Sequence, residues 1–151
     1  MKPKDNIPGS RQNLGSALLK PHLSYSDILL GLTRRFNRAA HSRKRKENAV
    51  FGAIHITGGG FTGNIPRIIP QNCNVTVNTQ SWPKPSIFKA LIEYGKVSFE
   101  ELYEVFNMGI GMTLVVAPGA ADAIIKFCRE KKQRAYLIGE VITGQGDVQL
   151  Q

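Results

Sequence analysis

An α+β sandwich built on a mixed sheet is the fold class this sequence predicts, and three observations carry the prediction. Segments with apolar residues at helical spacing alternate with short runs rich in β-branched residues. A glycine-rich turn joins one such strand to a helix, as layered α and β structures require. Third, 42% hydrophobic and 21% charged residues over 151 positions describe one ordinary domain able to bury a core.

The elements follow in chain order. Residues 1–13 mix Pro3, Pro8, Gly9, Asn6 and Asn13 with few large apolar groups and read as an extended arm or linker. Leu14 to Leu19 is a short apolar patch before Pro21. Ser26 is placed to cap a helix from Asp27 to about His41, with Ile28, Leu29, Leu32 and Phe36 on one side. Ser42 to Asn48 reads as a loop, and Ala49 to Thr57 as a strand punctuated by Gly52. Gly58-Gly59-Gly60 ends that strand. A short helix is expected near Asn64, because Pro66 is tolerated only in a first helical turn.

Downstream, Asn74 to Asn78 alternates as a half-buried strand does, and Pro85 to Tyr94 is helical with Gly95 as its stop. Ser98 and Glu101 form a capping box that opens a helix to Phe106. Gly111 to Ala117 is an apolar strand. Ala120 to Lys132 is an amphipathic helix with Ala123, Ile124, Phe127 and Cys128 on one face. Ala135 to Ile142 and Val148 to Leu150 are the closing strands, the last at an edge. The domain proper is expected over residues 26–151, with 1–25 as an arm and linker-like segment.

Composition narrows the function classes. No apolar run approaches the ~20 residues that span a bilayer. The polar start, Met1-Lys2-Pro3-Lys4-Asp5-Asn6, lacks the apolar stretch of a signal peptide, so a cytoplasmic location is expected. Cys73 and Cys128 show no metal-ligand spacing and are expected to be idle thiols; no metal-ligating set stands out. Of the net charge of +9, seven positive charges lie between Arg34 and Lys46 without an acid among them. Such a run invites nucleic acid, yet Phe36 is its only aromatic residue and no reading motif is present. A solvated loop is the expectation there.

The stretch His55-Ile56-Thr57-Gly58-Gly59-Gly60-Phe61-Thr62-Gly63-Asn64-Ile65-Pro66-Arg67 is the most informative. Consecutive glycines are kept where side chains would clash or where positive φ is required. A strand ending in such a turn exposes backbone N–H groups able to hold a phosphate or carboxylate, and Arg67 can add a bidentate contact. A tight turn without a ligand is the competing reading. The pattern matches neither the P-loop, which needs a Gly-Lys-Ser/Thr ending, nor the dinucleotide fingerprint. A second turn, Phe106 to Met112, is either a helix stop with Asn107 or Gly109 in the left-handed conformation, or a site where Asn107, Gly109 and Gly111 approach the same ligand.

Read together, the two turns resemble the signatures of the carboxy-terminal domain of the phosphoribosylformylglycinamidine cyclo-ligase (aminoimidazole ribonucleotide synthetase) family. Ile68-Ile69-Pro70, the run Ser81-Trp82-Pro83-Lys84-Pro85-Ser86-Ile87-Phe88, the segment Leu14 to His22 and the strand Tyr136 to Val141 resemble further parts of its pattern, over most of residues 14–143. The resemblance implies a mixed sheet layered α/β/α. It implies ATP-dependent ring closure of formylglycinamidine ribonucleotide to aminoimidazole ribonucleotide in purine biosynthesis, with magnesium accompanying ATP, at a site between two domains.

By likeness, His55, Thr57, Gly58, Gly59 and Gly60 face the cleft, with Asn64 and Arg67 beside them, binding the ribose phosphate or ATP phosphates. His55 is either a proton-transfer group or a structural histidine. Three departures qualify the likeness. The domain carrying most of the ATP site is expected to be missing, Leu23 stands where an arginine is expected, and the 34–46 stretch is more basic than the pattern. The expected partners are the ribonucleotide and either a separate ATP-binding half or a second copy of the chain. The rival expectation is a non-catalytic module that binds a phosphorylated ligand or a protein.

Overall fold

The computed structural model describes residues 1–37 and 48–151. The expected helix end near His41, residues 42–47 of the expected loop and most of the basic run therefore lie outside the described residues. Eleven elements follow one another: α1 Leu14–Leu18, α2 Ser26–Phe36, β1 Val50–His55, α3 Gly60–Asn64, β2 Cys73–Val77, α4 Ser86–Gly95, α5 Phe99–Val105, β3 Met112–Val116, α6 Ala121–Glu130, β4 Gly139–Thr143 and β5 Val148–Leu150. The class is α+β, as expected, but the strands divide between two sheets. β1 pairs antiparallel with β3, while β2 lies between β4 (antiparallel) and β5 (parallel), which makes the second sheet the mixed one.

The β1–β3 pair separates two apolar cores. Leu114 and Val116 face α2 and α6, packing with Leu32, Ile124, Phe127 and Cys128. Ile54, Ile56 and Val115 face the other way, into a core shared with Val75 and Val77 of β2, Phe61, Trp82, Phe88, Leu102 and Tyr103. One strand pair thus carries helices on one side and a second sheet with further helices on the other. Burial of the Cys128 thiol pushes its pKa up, and neither it nor Cys73 is in a disulfide.

Several boundaries differ from expectation for identifiable reasons. Residues 1–13 do not run extended: Asn6 bridges to Asn13, Leu14 N–H donates to Asp5 O, and Ile7 is buried. The apolar patch after it is the short helix α1, capped by Asn13 Oδ1 accepting from Ser16 N at 2.8 Å. Ser26 is the first residue of α2 and not its cap, because Leu29 N–H already bonds to Tyr25 O. At the other end, Asn37 leaves the helical conformation. Its amide donates to Val50 O at 2.6 Å and accepts from Ala49 and Val50 N–H, tying the end of α2 to the start of β1.

Gly95 belongs to α4, and the stop is Lys96 in the left-handed region at φ 52°. The Ser98 cap is present, with Glu101 N–H on Ser98 Oγ at 3.1 Å. Ala123 is exposed; Ala120 joins Ile124, Phe127 and Cys128 on the packed face of α6. Residues 135–138 precede the strand expected to include them, because Ala135 serves one core while Tyr136 and Ile138 serve the other.

Candidate functional site

The site is assembled at the end where β1 finishes and β3 begins. Strand alternation turns Ile54 and Ile56 inward, where both are buried, and leaves His55 and Thr57 exposed on the opposite face. His55 pairs with Met112, and Ile56 N–H donates to Gly111 O at 2.9 Å. This pairing places two glycine-rich turns, widely separated in sequence, at the same end of one sheet.

Each glycine of the first turn has a different circumstance. Gly59 precedes α3 with φ 92°, a conformation that disfavours a side chain. Gly60 has φ 55°, and a Cβ there would overlap the Tyr103 carbonyl of α5. Gly58 has neither restriction, and a Cβ on it would meet open space. Gly60 and Gly59 are therefore explained by packing and by turn conformation, whereas Gly58 is explained by neither.

Asn64 decides which way the turn's peptides face. Its side chain is buried, 2% exposed, and Nδ2 donates toward Thr57 O, Gly58 O and Gly60 O at 3.3, 3.2 and 2.7 Å. In a trans peptide the carbonyl of one residue and the N–H of the next point in opposite directions. Drawing those three carbonyls onto Asn64 therefore turns the N–H groups of Gly58, Gly59 and Phe61 away from it. None of the three donates to an acceptor among the described residues. Phe61 is fully buried, so the amides open to a ligand are those of the exposed Gly58 and Gly59, successive N–H groups of the kind that form a concavity suited to an anion. The Asn64 amide itself is consumed in holding the turn. Arg67, on a 3-10 turn over Ile65–Arg67, folds back so that Nε donates to Gly63 O at 3.1 Å, which keeps its charge beside α3.

The second turn uses several of its polar groups internally. Asn107 Oδ1 accepts from Gly109 N–H at 3.0 Å, and buried Trp82 donates through Nε1 to Met108 O at 2.9 Å. Met108 and Gly109 take the left-handed conformation, at φ 50° and 97°; Asn107 does not. A Cβ on Gly109 would lie 2.6 Å from Pro85 Cδ. Asn107 and Gly109 thus act on the turn and its seat against Trp82 and Pro85. Gly111 lies beside His55 and accommodates the Tyr25 hydroxyl, which a side chain at 111 would strike.

Two residues at this end were not singled out by sequence reasoning. His22 and Tyr25 gather around His55, with ring centroids at 5.5 Å (His22–His55), 6.1 Å (Tyr25–His55) and 6.1 Å (His22–Tyr25). His22 Nδ1 lies 3.1 Å from Leu23 O, which fixes the imidazole's orientation. Burial raises the pKa of the Tyr25 phenol, keeping it a neutral hydrogen-bonding group. The available signal was aromatic and imidazole side chains three residues apart directly before a helix.

Among the described residues, no group of three or more His, Cys, Asp or Glu converges as a metal site, and no helix is long and apolar enough to cross a membrane. The model of the family described as AIR synthase related protein, C-terminal domain, matches residues 15–151. The chain is 36% identical over 143 residues to the chloroplastic phosphoribosylformylglycinamidine cyclo-ligase of Arabidopsis thaliana, covering 95% of this chain and 34% of that protein. It is 41% identical over 133 residues to the Geobacillus thermodenitrificans cyclo-ligase, covering 88% of this chain and 35% of the relative. The chain therefore spans about a third of the length of these curated relatives. Among solved structures, the E. coli hydrogenase maturation protein HypE shares the fold, with a TM-score of 0.56 at 17% identity over 83% of this chain and 35% of that one.

Proposed function

Since the chain belongs to the AIR synthase related carboxy-terminal domain family, we propose that it supplies the substrate-binding surface for ring closure of formylglycinamidine ribonucleotide to aminoimidazole ribonucleotide, a purine-biosynthetic ligase reaction. The observation that carries the reading is the pair of outward amides at the exposed Gly58 and Gly59, held by Asn64. Backbone donors fixed before the ligand arrives hold an oxyanion without reorganisation. The phosphate of the ribonucleotide, or a phosphate of ATP, is the group such a cradle fits, with Arg67 adding positive charge beside it.

The chemistry divides between this surface and an ATP-binding half. The formyl amide oxygen attacks the terminal phosphorus of ATP, releasing ADP and leaving that oxygen as part of a phosphate leaving group. The amidine nitrogen then forms the new C–N bond as phosphate departs, and the ring loses a proton. His55, exposed three residues before Gly58, is the group of this chain placed to accept a proton. The residues described here do not fit the magnesium that accompanies ATP. No step of this chain's own runs through that ion, and we assign it to the ATP-binding half.

Taken alone, the 151-residue chain then shows no ADP release in the presence of formylglycinamidine ribonucleotide and ATP, because half of the reacting groups are absent. Adding the amino-terminal, ATP-binding part of a related cyclo-ligase restores measurable ring closure. Turnover by the chain alone contradicts this division. The same cradle without catalysis describes a phosphate-ligand-binding module, and reconstitution that binds ribonucleotide but never closes the ring favours that second reading. A cytoplasmic setting belongs to the first.

A further inference from the structure

The rings of His22, Tyr25 and His55 are unexplained by packing. His22 and His55 are exposed, so the cluster buries little apolar surface. Yet the three rings meet pairwise within 6.1 Å and at 66–76° to one another. Such a corner offers one ring face with the edges of the other two beside it, the arrangement in which a further planar ring is accepted. Its position is set from two sides. The Tyr25 hydroxyl occupies space that exists because residue 111 is glycine, and the His22 imidazole is fixed against Leu23 O at 3.1 Å.

The cluster also lies in line with the phosphate cradle. His55 and Thr57 share the outward face of β1, and Gly58 follows directly. Three residues at about 3.3 Å each separate ring cluster and cradle by roughly 10 Å. That is the reach of a ribose 5-phosphate carrying a small conjugated group on its anomeric carbon, with Thr57 exposed at the level of the sugar.

We propose that His22, Tyr25 and His55 form a platform that recognises the planar, conjugated end of the ribonucleotide, making His22 and Tyr25 specificity residues of the site. This rests on the phosphate reading of the glycine turn. Stacking of a conjugated ring on aromatic side chains strengthens binding by about tenfold or more.

The test compares two probes by titration calorimetry on the intact chain: ribose 5-phosphate, which lacks the planar end, and 5-aminoimidazole-4-carboxamide ribonucleotide, which has it. The ribonucleotide is expected to bind at least about tenfold more tightly. His22→Ala and Tyr25→Leu reduce that advantage severalfold while leaving ribose 5-phosphate affinity unchanged, and Tyr25→Phe retains it. His22 is exposed, so its variant folds even if a Tyr25 variant does not. Equal affinity of the two probes for the unaltered chain, or a full advantage in His22→Ala, overturns the platform while the cradle stands. Failure of both probes to bind overturns the cradle and the platform together.

Discussion

Two glycine-rich turns sit at one end of the β1–β3 pair, alike in composition and opposite in how they use their backbone. At Gly58–Gly60, one buried side chain gathers three carbonyls and leaves the amides of the exposed Gly58 and Gly59 facing outward. At Asn107–Gly111, Asn107 accepts from Gly109, Trp82 donates to Met108 O, and Ile56 donates to Gly111 O. Glycine content alone does not distinguish a turn with open donors from a packed one. What distinguishes them is access: the N–H groups of Gly58 and Gly59, unpaired among the described residues, lie on exposed residues, whereas in the second turn the Gly109 N–H is taken by Asn107, and Met108 and Gly111 are buried.

This contrast can be broken by substitution. Gly60→Ala should have the largest effect, since the added Cβ overlaps the Tyr103 carbonyl at a left-handed position; a loss of about 3 kcal/mol in urea unfolding is expected. Asn64→Ala should cost about 2 kcal/mol by removing the buried side-chain donor that ties together the carbonyls of Thr57, Gly58 and Gly60. It should also abolish phosphate binding, because nothing then orients the amides. Trp82→Phe removes the donor to Met108 O and should destabilise by about 1.5 kcal/mol, with phosphate affinity unchanged. If it weakened phosphate binding as strongly as Asn64→Ala, the two turns would not be functionally distinct. Gly58→Ala should unfold within about 0.5 kcal/mol of the unaltered chain, since its Cβ meets open space.

Much of the fold was legible because it depends on short-range pattern. The β-branched run from Ala49 to Thr57 marked the first strand, and the Ser98 cap needed only a residue three positions away. The glycine stretch marked the first turn for the same reason. The roles within it depended on distant partners. Gly60 is glycine because the backbone of α5 arrives from some forty residues downstream, and Asn64 matters because of where three carbonyls point. Neither direction nor arrival is encoded in spacing. His22 and Tyr25 were overlooked because their segment reads as a linker, and only the fold brings it against Gly111. The division of the strands into two sheets had no local signature, since each strand carries the same kind of alternation.

Phosphate titration of the isotopically labelled chain, followed amide by amide in nuclear magnetic resonance spectra, tests the central claim most directly. The N–H signals of Gly58 and Gly59 should move together along one saturating curve, while those of Gly109 and Gly111 stay in place. Stationary signals at 58 and 59, or shifts confined to lysine and arginine residues elsewhere in the chain, would contradict it.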